Sequence, residues 1–157
     1  MNSAATRLQV GPWICERIPA RHKYSIRIQS GIGLKLGSSS GSKNQQKTAL
    51  FLSAVTIGEL RKGLVILPRS RRRTDLETWL NTDVLIWFQG RILPVTHSIA
   101  DRWGVLDGQC QLKGTPLGTA DGLIAATALE HELILVTRNI SDFAGLGVEV
   151  FNPWDAA

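Results

Sequence analysis

From residue 49 onward, short apolar runs alternate with stretches of helical period. This alternation restricts the fold more than any other feature of the 157-residue chain. ALFLSAV (49–55), RILPVT (91–96), LILVT (133–137) and VEVFNP (148–153) are strand-like. TIGELRKGLVIL (56–67), RRTDLETWLNTDVLIWF (72–88), HSIADRWGVLDGQCQLKG (97–114) and TADGLIAATALEHE (119–132) read as helices. Ile57, Leu60, Leu64 and Leu67 share a face of the first helix, and Pro68 stops it. Leu76, Trp79, Leu80 and Trp87 are the expected buried positions of the second, and Thr119 is the expected N-cap of the last. Buried strands alternating with helices predict an α/β domain with a central, mainly parallel sheet flanked by helices. In such sheets ligands sit beyond the carboxyl ends of the strands.

The first 48 residues have a different character. They hold eight Lys/Arg against one acid, Glu16, whereas residues 49–157 hold ten against twelve. The net charge of +5 therefore belongs to the N-terminal third, and pI alone is a weak argument for nucleic-acid binding. GIGLKLGSSSGSKNQQK (31–47) has no sustained periodicity and reads as a loop or disordered linker, while YSIRIQ (24–29) alternates like a short strand. Two units are expected: a basic, Gly/Ser-rich and poorly ordered segment over 1–48, and the α/β domain over 49–157. No run of about 18 apolar residues exists, so no membrane span is expected, and the N-terminus lacks a secretory signal core. Cys15 and Cys110 are isolated, which suggests reduced thiols and a cytoplasmic setting.

Three acids are placed where an α/β fold puts its chemistry. Glu59 and Asp121 fall near the starts of helices, and Asp142 follows the LILVT strand in a turn with Asn139 and Ser141. Singly, each has a plain role: Asp121 beside a helix dipole, Asp142 in a turn, Glu59 on a solvated face pairing with Lys62. Together at one sheet edge they would repel one another unless protons or a cation neutralised them. Mg²⁺ or Mn²⁺, hard and oxygen-seeking, fits that need.

The segments LFLSAVTIGELRKG, GTADGLIAATALEH, LVTRNISDFAGLGV and FNPW resemble the PIN-domain ribonucleases. More narrowly they resemble the toxin halves of VapBC-type toxin–antitoxin pairs and the related FitB-like group, over about Ala49 to Trp154. The resemblance implies a parallel-sheet PIN fold, divalent-metal-dependent hydrolysis of RNA, a homodimer and a cognate antitoxin. It implies that Glu59, Asp121 and Asp142 are the catalytic, metal-holding acids, with Thr137 and Asn139 supporting them through hydrogen bonds. The family opens with a strand ending in aspartate, and this chain has no Asp before Asp75. The first strand is thus expected to be atypical or missing. A shifted reading frame upstream of about residue 48 would account for the composition, and resequencing the locus would decide it. The alternative is a catalytically inactive PIN remnant that only dimerises or binds antitoxin.

Other motifs are read as structural. RSRRR (69–73) is expected to be a solvated loop. His22, His97 and His131 share no metal spacing, and Trp79, Trp87, Trp103 and Trp154 suit core or dimer packing. Asp101 and Asp107 are expected in solvent. Ser53 and Ser141 lack triad partners, and no phosphate-binding glycine motif occurs, which excludes a serine hydrolase and the common nucleotide folds. A phosphoacceptor receiver would need an acid pair at the first strand, and none is visible.

Overall fold

The computed structural model describes residues 32–35 and 49–152. The strand expected at 24–29, together with Cys15, His22 and Trp154, lies outside them. Five strands form one sheet in the order β3-β2-β1-β4-β5: β1 Ile32–Lys35, β2 Ala49–Ser53, β3 Ile92–Leu93, β4 Ile134–Val136 and β5 Val150–Phe151. Ile32–Lys35, expected within a loop or linker, is instead the central strand.

The outer pairs, β2 with β3 and β4 with β5, are parallel as expected. β1 departs from this and runs antiparallel to both neighbours. Ile32 lies opposite Leu52 of β2 and Val136 of β4, and Leu34 opposite Leu50 and Ile134. β2 and β4 are therefore parallel to each other with a reversed strand between them. Backbone ladders form in either sense, so the two flanking strands can pair with this segment although its direction is opposite to theirs.

Strand alternation sends side chains to two cores. On one face Leu52, Ile134 and Val136 pack with Leu60, Leu64, Leu76, Leu80 and Val84. On the other, Leu135 packs with Ile124, Ala125, Ala128, Phe143 and Leu146. Helices thus cover both sides of the sheet.

The first helix, α1, spans Ala54–Ile66, so the apolar run ALFLSAV is divided between strand and helix. Ser53 makes the division. Its backbone is extended and its hydroxyl accepts from the Val55 amide at 3.3 Å, which caps the helix. Leu67, held extended by the following Pro68, ends it. Leu60 and Leu64 are buried as the spacing requires, with Ile57 and Leu67 packed at the margin.

RSRRR is not a plain solvated loop. Ser70 caps α2, Arg71–Thr78, by accepting from the Arg73 amide at 3.3 Å. The Arg73 guanidinium pairs with Glu77 at 2.8 Å and donates to the carbonyls of Val65 and Leu67, each at 3.2 Å, closing the end of α1. The expected helix over 72–88 continues from α2 through a π-helical stretch, Trp79–Val84, into a last turn, α3, Leu85–Trp87. Leu76 and Leu80 are buried, but Trp87 is 39% exposed. The wider π turn explains this: the inward face follows Leu76, Leu80, Val84 and Phe88, at steps of four, and Trp87 rotates outward.

Helix α4, His97–Leu112, begins at Thr96, whose hydroxyl accepts from the Ile99 amide at 3.4 Å. Gly114, at φ +71°, turns the chain beyond it. Helix α5, Thr119–Glu130, has Gly118 at its N-cap, not Thr119, which is the first helical residue. No helix among the described residues is long and apolar enough to cross a membrane.

Candidate functional site

β2 and β4 end at the same side of the sheet. There Ser53 leads into α1, and Thr137 leads into the turn that carries Asn139 and Asp142. Three acids share this edge. Burial, then the negative charges of Asp142 and Glu59, push the Asp121 carboxyl above the ordinary aspartate range. Each acid comes from a different element: Glu59 from the second turn of α1, Asp121 from the first turn of α5, Asp142 from a 3₁₀ turn, Ile140–Phe143.

The three are held differently. Glu59 is exposed and pairs with Lys62 at 3.6 Å, so its plain local role and its place in the shared field coexist. Asp142 is exposed but tethered. The Asn139 side-chain amide donates to one of its oxygens, and the Ser141 hydroxyl donates to the other at 3.4 Å and to Asn139 Oδ1 at 3.1 Å. The buried Thr137 hydroxyl accepts from the Asn139 backbone amide at 3.0 Å, fixing the base of the turn. Thr137 and Asn139 therefore connect β4 to Asp142 through two successive hydrogen bonds.

Asp121 occupies the third position of α5, and its carboxyl folds back over the N-cap. A Cβ at Gly118 would stand 3.3 Å from Asp121 Oδ2. At the next residue a Cβ on Gly122 would meet Trp103 Cδ1 at 2.6 Å and Leu117 Cδ2 at 2.9 Å. The Asp121 carboxyl thus lies over a position without a side chain, Gly118, and the residue after Asp121, Gly122, leaves room for Trp103 and Leu117. Sequence reasoning missed Gly118, Gly122 and Trp103. The paired glycines at 118 and 122, four apart across a helix start, were the available signal.

The donors at this edge are carboxylate oxygens, which suit Mg²⁺ or Mn²⁺. Among the described residues, no group of three or more His, Cys, Asp or Glu is close enough to hold an ion directly. The acids share a field without forming a closed ligand set, and waters would have to complete any coordination shell. β1 adds no charge. Its end at this edge is its first residue, Ile32, and no Asp or Glu occurs between Glu16 and Glu59.

Among known families, the one described as PIN domain matches residues 39–147. The VapC ribonuclease Y4jK of Sinorhizobium fredii is 39% identical over 113 residues, 72% of this chain and 81% of that protein. Toxin FitB of Neisseria gonorrhoeae is 37% identical over 105 residues, 67% of this chain and 76% of that protein. A crystal structure of FitAcB from Neisseria gonorrhoeae superposes with a TM-score of 0.61 at 38% identity, over 66% of this chain and 75% of the other.

Proposed function

Because this chain belongs to the PIN-domain family, we propose that it is a toxin of the VapC and FitB kind that hydrolyses RNA phosphodiesters with a divalent cation and is held in check by an antitoxin. The observation that carries this is the placement of Glu59, Asp121 and Asp142, from three different elements, at one sheet edge, where burial and then the charges of Asp142 and Glu59 push the Asp121 carboxyl up. Acids drawn together at such a cost are expected where a cation or a proton balances them. The relatives named as ribonuclease and as toxin support the class of reaction and its biological setting.

Glu59, Asp121 and Asp142 would hold Mg²⁺ or Mn²⁺, directly or through water. The cation, when bound, would supply the positive charge that a phosphodiester needs as negative charge develops on it. Asp121 fixes the deepest point of the site, because it is the acid drawn out of solvent. Asn139, Ser141 and Thr137 hold Asp142 in place, so that this carboxylate is positioned before any substrate arrives.

One observation favours a second reading, an inactive PIN domain that binds antitoxin without cutting RNA. The central strand is reversed and brings no carboxylate to the edge. Incubation of the full chain with mixed cellular RNA and Mn²⁺ separates the two. Cleavage by the parent that is lost with chelator, with Asp121→Asn and with Asp142→Asn supports the nuclease. Antitoxin capture with no cleavage at any Mn²⁺ concentration supports the inactive binder.

A further inference from the structure

Gly122 marks a very close approach between α4 and α5, which form the most extensive helix pair among the described elements. The edge of the Trp103 indole lies where a Cβ at 122 would stand, with Cδ1 at 2.6 Å and Nε1 at 2.8 Å from that point. The indole N–H is buried without a hydrogen-bond partner, so what Trp103 brings here is the surface of its ring. A buried donor left unpaired is unfavourable, and the packing holds the ring there regardless.

The first turn of α5 is closed by a backbone hydrogen bond at this point. The Gly122 amide donates to the Gly118 carbonyl at 2.8 Å, and Asp121 lies between the two. Any displacement of Gly122 away from α4 carries Asp121 with it. Close-packed interiors transmit such shifts over short distances.

We propose that Trp103 is a positioning residue for Asp121: its ring, seated in the notch left by Gly122, fixes the first turn of α5 against α4 and so sets the direction from which the Asp121 carboxyl enters the acidic edge. The inference rests on the proposed function only in treating Asp121 as a cation-holding carboxylate. The seating of the ring stands apart from it.

The test uses the full chain, with Mn²⁺ alone as the probe and three variants: Trp103→Phe, Gly122→Ala, and Gly122→Ala combined with Trp103→Leu. Hydrogen exchange of the Gly122 and Leu123 amides, compared with amides later in α5, reports the first turn. Calorimetry reports Mn²⁺ affinity. Trp103→Phe keeps a ring in the notch and should leave both unchanged, since the N–H makes no bond. Gly122→Ala should speed exchange at the first turn alone and weaken Mn²⁺ binding by about tenfold or more, as loss of a supporting contact does at other metal sites. Adding Trp103→Leu removes the two nearest contacts of the new methyl, leaving only the flexible end of Leu117 at 2.9 Å to give way, and should restore part of the affinity. Uniform acceleration of exchange along α5, or Mn²⁺ affinity that merely follows the melting temperature, would overturn the proposal. If the parent binds no Mn²⁺, the cation reading falls instead, and the Asp121 carboxyl carbon resonance at fixed pH takes its place. A change in Gly122→Ala that Trp103→Phe does not show then supports the positioning role, and an unchanged resonance in Gly122→Ala overturns it.

Discussion

Asp121 is drawn out of solvent at the sheet edge that Asp142 shares, and burial first, then the negative charge of Asp142, raise its affinity for a proton. The two come from the turn after β4 and from the start of α5. Their repulsion is a property of the fold itself, and it has measurable consequences with or without a nuclease activity.

The folded value for Asp121 lies above its unfolded value, so in the interval between them the folded chain binds the extra proton. Stability therefore falls as pH rises through that interval, and the loss is complete above the folded value. Asp121→Asn removes the charge that burial disfavours, and with it the repulsion from Asp142 and Glu59. Its melting temperature at neutral pH, without divalent cations, should exceed that of the parent, with the gain shrinking toward acid pH. Mn²⁺ should raise the melting temperature of the parent and leave the variant unmoved. A variant less stable than the parent at neutral pH would show that the Asp121 carboxylate is not disfavoured by burial and neighbouring charge.

Glu130 has the opposite sign. Hydrogen bonds from Arg102, and then from Ser98, hold its carboxyl below the ordinary glutamate range. The pair Arg102–Glu130, at 2.9 Å, joins α4 to α5. Its contribution is present above the ordinary glutamate value and lost as pH falls through the lowered one. Thermal melts of Arg102→Gln and the parent should accordingly differ at neutral pH and converge in acid. A difference that stays constant with pH would assign the effect of Arg102 to packing.

Gly118→Ala places a methyl 3.3 Å from Asp121 Oδ2. The backbone at 118, φ −63°, accepts alanine without strain. Stability should therefore change by no more than about 1 kcal/mol, the gain from a stiffer unfolded chain opposing a poorer N-cap. Mn²⁺ affinity, measured by calorimetry, should fall because the carboxyl must move. Equal affinity in variant and parent would show that Oδ2 is free to swing away.

Ser53→Ala removes the cap of α1 at the end of β2. Urea unfolding should show a loss of about 1 kcal/mol. The residue is 4% exposed, so water cannot readily replace the missing acceptor. A loss below a few tenths would mean that Thr56 or the chain end of β2 has taken over the cap.

The helix and strand order from residue 49 was legible because apolar period and capping residues agreed there. Pro68 ended α1 and Gly114 closed α4 as their chemistry requires. Boundaries failed where two elements shared one apolar run, as in ALFLSAV, whose only punctuation is Ser53. Trp87 failed because a π turn leaves no mark in hydrophobic spacing. Of the edge, the acids were visible as acids. What could not be read was how they are held: the Asn139 and Ser141 bonds to Asp142, and the Gly118 and Gly122 gaps beside Asp121, depend on the turn geometry that only the folded chain supplies. β1 was invisible because IGLK has no pattern of its own. It is a strand because two neighbours pair with it.

That reversed strand also governs how the domain comes apart. Among the described residues, β3–β2 and β4–β5 are parallel half-sheets whose backbones meet only through the four residues of β1. Each half carries its own share of the acidic edge, Glu59 behind β2 and Asp142 behind β4. β1 is therefore the strand through which the two ladders are hydrogen-bonded, while the core of Leu52, Leu60, Ile134 and Val136 spans both halves. When its ladder opens, the two halves remain joined only by that shared apolar core, and the carboxylates that repel one another gain freedom to part.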